Sequence, residues 1–140
     1  MLLAKNLTSS LMMQAVVYNG TPHQVSVVEL PKPTLKTDTD AIVEITIAGI
    51  CGTDLHMYHG FRGQGDSWGM GHEALGRISE IGSGVSSLAV GDYVVIPDNV
   101  DSGRLDMTPP ALEVFGVGRG LEGLQGEKCP ECHELAGMEH

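Results

Sequence analysis

The chain has 140 residues, a formal net charge of −10, 41% hydrophobic residues and only 4% aromatic ones. That length accommodates one domain with a real core and not two ordinary ones. The excess of acid excludes nucleic acid and anionic membranes as partners by repulsion, and no apolar run is long enough to cross a membrane. With 19 glycines and 7 prolines the chain should be rich in turns and short strands. Its three cysteines do not make a disulfide framework, so a reducing, cytoplasmic setting is expected.

Residues 1–12 have no proper signal-peptide core and are expected to form a disordered leader. Gln14–Tyr18 is a short apolar run with β-branched residues, ended by the turn signal Asn19-Gly20, and Val25–Leu30 reads as a second strand broken by Pro31 and Pro33. Ala41–Ala48 is the clearest strand: Val43, Ile45 and Ile47 fall on one face, Glu44 and Thr46 on the other. Cys51–His59 has the character of one or two helical turns, with Thr53 or Asp54 as its cap. Phe61–Gly71 reads as loop, and Ala74–Ile81 and Tyr93–Ile96 as two further strands. After Pro97 the composition turns polar and glycine-rich. Residues 13–127 are therefore expected to form one mainly β domain, a partly closed barrel with a few short helices, and residues 128–140 a disordered tail.

One constellation carries chemistry. Cys51-Gly-Thr53-Asp54-Leu-His56 follows the best strand, and Gly71-His72-Glu73 precedes another. A thiolate, an imidazole and a carboxylate are the ligand types a catalytic zinc uses when one position stays open, and strand ends hold such groups rigidly.

The stretches AGICGTDLH and GHEALGRISEIGSGVSSLAVGDYVVIP resemble the zinc-dependent alcohol dehydrogenase group of the medium-chain dehydrogenase/reductase superfamily, over its N-terminal, GroES-like domain. The match is strongest over residues 13–97. It implies a GroES-like barrel without a Rossmann domain, with Cys51 and His72 as zinc ligands. Glu73 is implied to stand beside the metal as an exchangeable ligand or supporting group. Thr53 would bond a substrate hydroxyl and pass its proton toward His56, and Asp54 would orient the ligands. Zinc lowers the pKa of a bound alcohol or water, and a hydroxyl-to-histidine relay carries the proton to solvent.

The resemblance also implies a third protein ligand from beyond the residues present here. Glu73, Asp54, His59 or a water is expected to substitute for it. Family members carry a four-cysteine structural-zinc lobe after the segment ending near Pro97, but Asp98–Leu112 contains no cysteine, so no structural metal is expected. Gly118-Arg-Gly120-Leu-Glu-Gly123 matches G-x-G-x-x-G, yet too little chain follows it for a βαβ unit. It reads as a glycine-rich surface loop, and no NAD(P) site is expected. Cys129-Pro-Glu-Cys132-His133 matches a c-type haem attachment pattern or half a zinc knuckle. The first lacks an export signal and the second lacks ligands, which leaves a disordered end as the expectation.

The function expected is a truncated alcohol-dehydrogenase-like catalytic domain acting on a small hydroxyl or carbonyl compound, with one catalytic-type zinc and no nucleotide domain. Two alternatives stand beside it. One is a nucleotide-independent isomerase, dehydratase or cyclase using Thr53, Asp54, His56 and Glu73. The other is a non-catalytic binding module that forms a homodimer through a face left bare.

Overall fold

A computed structural model describes residues 11–61, 65–100, 113–116 and 123–133. Strand β1 (Met12–Tyr18) pairs antiparallel with β2 (Val25–Pro31), with Tyr18 opposite Val25 and Met12 opposite Pro31. Asn19-Gly20 opens the connecting turn, where the Asn19 N–H donates to the Gln24 carbonyl at 3.0 Å. Strand β3 (Asp40–Ala48) runs into helix α1 (Gly52–Tyr58). The chain continues through β4 (Trp68–Gly69), β5 (Ala74–Ile81), β6 (Tyr93–Ile96), β7 (Asn99–Val100), β8 (Glu113–Val114) and β9 (Lys128–His133).

These strands form a three-stranded sheet of order β2-β1-β4, a four-stranded sheet of order β6-β5-β3-β9 and a two-stranded ribbon of β7 and β8. The segment from Gln125 to Glu127 links the two larger sheets. The Val16 N–H donates to the Gln125 carbonyl at 2.8 Å, Glu127 N–H to Gln14 at 3.1 Å and Ile45 N–H to Glu127 at 2.9 Å. The result is a mainly β domain that does not close into a full barrel, with one short helix among the described residues.

The main core gathers Ala41, Val43, Ala74, Ile78, Ile96, Phe115 and Leu124 between β3, β5, β6 and the returning segments. A smaller cluster joins Tyr18 of β1, Met57 of α1 and Met70. Aliphatic side chains thus supply most of the core, and the two aromatics Tyr18 and Phe115 are its largest fully buried members.

Four expectations are corrected. Ile47 does not share the buried face of β3 with Val43 but is 62% exposed. The register shift between Ile45 and Ile47, where Thr46 has no partner on β5, interrupts the alternation of faces along the strand. The region read as loop contains β4, whose Gly69 and Trp68 pair with Val17 and Tyr18. Its two residues are too short to show a period of their own.

Leu11 and Met12, expected in the leader, are held against the end of β2 and the residue after it. The Lys32 N–H donates to the Leu11 carbonyl at 2.8 Å, and Met12 opens β1. Residues 1–10 lie outside the described residues.

The expected tail likewise begins as a strand. Lys128 pairs with Glu44, Cys129 with Val43, Cys132 with Ala41 and His133 with Asp40. Strand β3 has Asp40–Val43 buried throughout, so its second edge needs a partner for its backbone groups. Strand β9 supplies one and takes Pro130 at a register shift, the kind of position where proline is tolerated in a sheet. Residues 134–140 and Gly118–Glu122 of the glycine-rich motif lie outside the described residues.

Candidate metal centre

The site is assembled where two strands of one sheet end side by side. Strand β3 delivers Cys51 through Gly49 and Ile50, and its neighbour β5 starts just after His72 and Glu73. Gly49 N–H donates to the Glu73 carbonyl at 2.9 Å, and the Gln125 side-chain amide donates to the Gly49 carbonyl at 3.1 Å. Gly71 is needed just before His72. Its backbone has φ +93°, and a Cβ there would lie 2.5 Å from Cγ and 2.7 Å from the backbone nitrogen of Gln125.

Helix α1 then fixes the ligand geometry. Its N-cap is Cys51, not Thr53 or Asp54 as expected. The extended backbone of Cys51 turns its Sγ to accept the Thr53 N–H at 3.3 Å, while Cys51 N–H donates to Asp54 Oδ2 at 2.9 Å. This is a reciprocal capping box with a sulfur in the place usually held by a hydroxyl. Asp54 is the third helical residue, and its negative charge in the first turn opposes the helix dipole favourably.

Asp54 is 3% exposed, and its second carboxylate oxygen faces His72 Nδ1 at 3.5 Å. That separation allows charge attraction but is too long for a well-formed hydrogen bond. Both atoms are buried and have no closer hydrogen-bond partner. A carboxylate on the Nδ1 side of the ring favours the tautomer that carries its proton there and turns Nε2 toward the thiol. Nε2 lies 3.1 Å from Cys51 Sγ. Ligand atoms of Cys51, Asp54 and His72 all lie within 4.8 Å of one another.

The donor set fits zinc through Cys51 and His72. A tetrahedral zinc with sulfur and nitrogen ligands at ordinary distances separates them by about 3.5 Å, so the pair needs to open by less than half an ångström or so. Asp54 is better read as the residue behind the ligands than as a third one. One of its oxygens is engaged by the Cys51 N–H and the other faces the ring, the usual position of a carboxylate that orients a metal-bound histidine.

The other candidates fall at different distances from this cluster. Glu73 is exposed and its carboxyl group lies over Gly49, where an added Cβ would meet Oε1 at 2.4 Å, so it stands outside the three-residue group. Thr53 is half-buried in the first turn of α1, and His56 lies three residues on, exposed on the same side of the helix, with its ring 6.0 Å from that of Phe61. His59 lies at the far end of α1 and does not join the cluster. Two contributions were missed from the sequence: the capping role of the cysteine and the Gln125 strap. A cysteine at an N-cap gives no compositional signal, and Gln125 acts across a long sequence separation.

The chain resembles known proteins over most of its length. Residues 37–136 match the family described as the alcohol dehydrogenase GroES-like domain. The chain is 41% identical over 102 residues to the zinc-type alcohol dehydrogenase-like protein AdhB of Bacillus subtilis, covering 72% of this chain and 27% of that protein. It is 37% identical over 124 residues to the medium-chain reductase/dehydrogenase ucsI of an Acremonium species, covering 82% of this chain and 41% of that protein.

Among solved structures, alcohol dehydrogenase TADH from Thermus sp. ATN1 superposes with a TM-score of 0.71 at 32% identity, over 84% of this chain and 37% of that one. The alcohol dehydrogenase of Aeropyrum pernix gives a TM-score of 0.72 at 29% identity, over 86% and 38%. These matches define the class as the N-terminal, GroES-like domain of the zinc alcohol dehydrogenase group in the medium-chain dehydrogenase/reductase superfamily. The chain belongs to the alcohol dehydrogenase GroES-like domain family, and its match spans 27% and 41% of the length of the two curated relatives. The family match runs through β9 to residue 136, so this strand is part of the family domain and not an unrelated tail.

Proposed function

We propose that these residues form the metal-holding, hydroxyl-activating part of an alcohol-dehydrogenase-type oxidoreductase for small hydroxyl or carbonyl compounds. The observation that carries this is the approach of Cys51 Sγ and His72 Nε2 to 3.1 Å with the buried Asp54 behind both. Cys51 and His72 would hold a zinc ion, which supplies Lewis-acid polarisation of a substrate oxygen when bound.

The chain's own groups then have distinct tasks. Asp54 holds His72 in one tautomer and anchors the backbone of Cys51. Thr53 bonds the substrate hydroxyl, and His56, exposed on the same side of α1, passes the proton to water. Glu73 serves as a carboxylate at the edge of the site, within one residue of a proposed ligand. A thiolate ligand needs a reducing surrounding, which suits the cytoplasm. No helix among the described residues is long and apolar enough to cross a membrane.

The hydride acceptor is proposed to lie outside these residues, because no βαβ unit occurs among the described elements. On this reading the 140-residue chain is not a self-sufficient dehydrogenase. A row of exposed apolar residues runs across β3, β5 and β6 through Ile47, the half-buried Leu75 and Val95. This row supports self-association of the chain through that face.

Cobalt(II) substitution tests the reading. The full chain should develop a thiolate-to-cobalt absorption band that Cys51→Ser abolishes, and small primary alcohols should perturb it. A NADH titration of the same protein should show no saturable binding. Absence of the band, or its indifference to alcohols, counts against the site, and tight NADH binding counts against the division of labour.

A further inference from the structure

The far end of α1 holds a second group of metal-binding side chains that the proposed site does not use. Residue His23 lies in the turn between β1 and β2, and His59 is the residue that caps the C-terminus of the helix. Their ring centroids are 5.1 Å apart with planes at 79°, and both residues are exposed.

Their placement is held from several sides. The His23 N–H donates to the Tyr58 carbonyl at 2.8 Å, and the His23 ring also packs at 60° to the Tyr58 ring, 5.2 Å away. His59 N–H donates to the Leu55 carbonyl at 2.9 Å, closing the last helical turn. Pro22 sits against Gly60, where an added Cβ would come within 2.7 Å of the proline Cγ. Among the described residues His23 is the one non-glycine residue with a left-handed backbone, at φ +66°. That conformation costs about 1 kcal/mol and persists where the surroundings impose it.

We propose that His23 and His59 form a solvent-facing site for a divalent transition ion of the nickel, copper or zinc class. Neutral imidazoles are suitable ligands for these ions. With metal–nitrogen bonds of ordinary length, two imidazoles on one ion bring their ring centroids to roughly 4.5–5.2 Å for ligand angles between about 90° and 110°. The observed centroid separation falls in that range, and the rings, now in edge-to-face contact at 79°, would turn about their Cβ–Cγ bonds to share the ion. Water completes the coordination, since the pair opens to solvent. The net charge of −10 raises the local concentration of cations around the whole molecule. This site is independent of Cys51 and His72 and does not rest on the dehydrogenase reading.

Nickel(II) is the probe, added to the full chain carrying Cys51→Ser so that the buried centre does not compete. Imidazole resonances are followed by NMR, and affinity by calorimetry. His56, a single exposed histidine on the same helix, is the internal reference. The proposal expects His23 and His59 to broaden together, at an affinity on the order of 10²-fold above that of His56. His23→Asn, which tolerates the left-handed backbone, and His59→Gln should each reduce binding to the His56 level. Broadening of the two rings at the His56 affinity would overturn the proposal. So would full retention of the enhanced affinity in a single variant that keeps the wild-type unfolding temperature.

Discussion

The two ends of helix α1 show opposite ways of holding a histidine near a second ligand. At the N-terminus, hydrogen bonds tie Cys51 to Asp54 and Thr53 in the helix cap, and His72 joins them through its 3.1 Å contact with Cys51 Sγ and the charge of the buried Asp54 carboxylate. At the C-terminus, His23 and His59 lie in solvent, placed by single backbone bonds and ring contacts. The difference teaches where folding and ligand binding share the same atoms. Asp54 supports the cap, the backbone and the histidine together, whereas either exposed imidazole can be removed without unsatisfying a buried group.

Substitutions should divide along that line. The largest effect is expected for Gly71→Ala, which places a methyl group against the Gln125 backbone at a left-handed position. It should cost about 3 kcal/mol or more by denaturant unfolding and displace His72. Asp54→Ala follows, with about 1–3 kcal/mol lost from the cap and from the unpaired Cys51 N–H. Zinc affinity should fall about 10–100-fold with it as His72 loses its orienting group.

Cys51→Ser is the discriminating change at this end. Serine is a good N-cap, so stability should stay within about 0.5 kcal/mol while metal binding disappears. At the other end, His59→Gln should leave the unfolding midpoint within about 0.5 kcal/mol of wild type.

The smallest effect lies away from both ends. The Arg77 guanidinium sits 4.3 Å over the Tyr93 ring and, by hydrogen bonding and charge, holds the Tyr93 pKa below the ordinary tyrosine value. Arg77→Met should raise the midpoint of the phenolate absorbance titration toward about 10, with no change in metal content.

The sequence was most legible where pattern and chemistry coincide. Strands β5 and β6 appear with the expected bounds, β3 begins one residue earlier than expected, and Cys51 and His72 meet as the motif implies. It was least legible where structure depends on distant backbone. The register shift between Ile45 and Ile47 turns Ile47 outward although its alternation with Val43 predicts burial. Strand β9 has a polar, proline-containing sequence and gains its conformation from the edge of β3. Glu73 follows the proposed ligand directly in sequence, yet the chain enters β5 there and carries its carboxylate over Gly49, away from the cluster. Gln125 gives no local signal because its role is a bond to a carbonyl 76 residues away in the sequence.

The central claim is that the buried end of α1 is a metal centre built on Cys51 and His72. Zinc per chain, measured by elemental analysis on the purified protein and on Cys51→Ser, tests it most directly. The account predicts about one zinc in the wild-type chain and none in a variant that unfolds at the same temperature. A wild-type chain that neither retains nor takes up zinc, or a Cys51→Ser chain that keeps it, would contradict it.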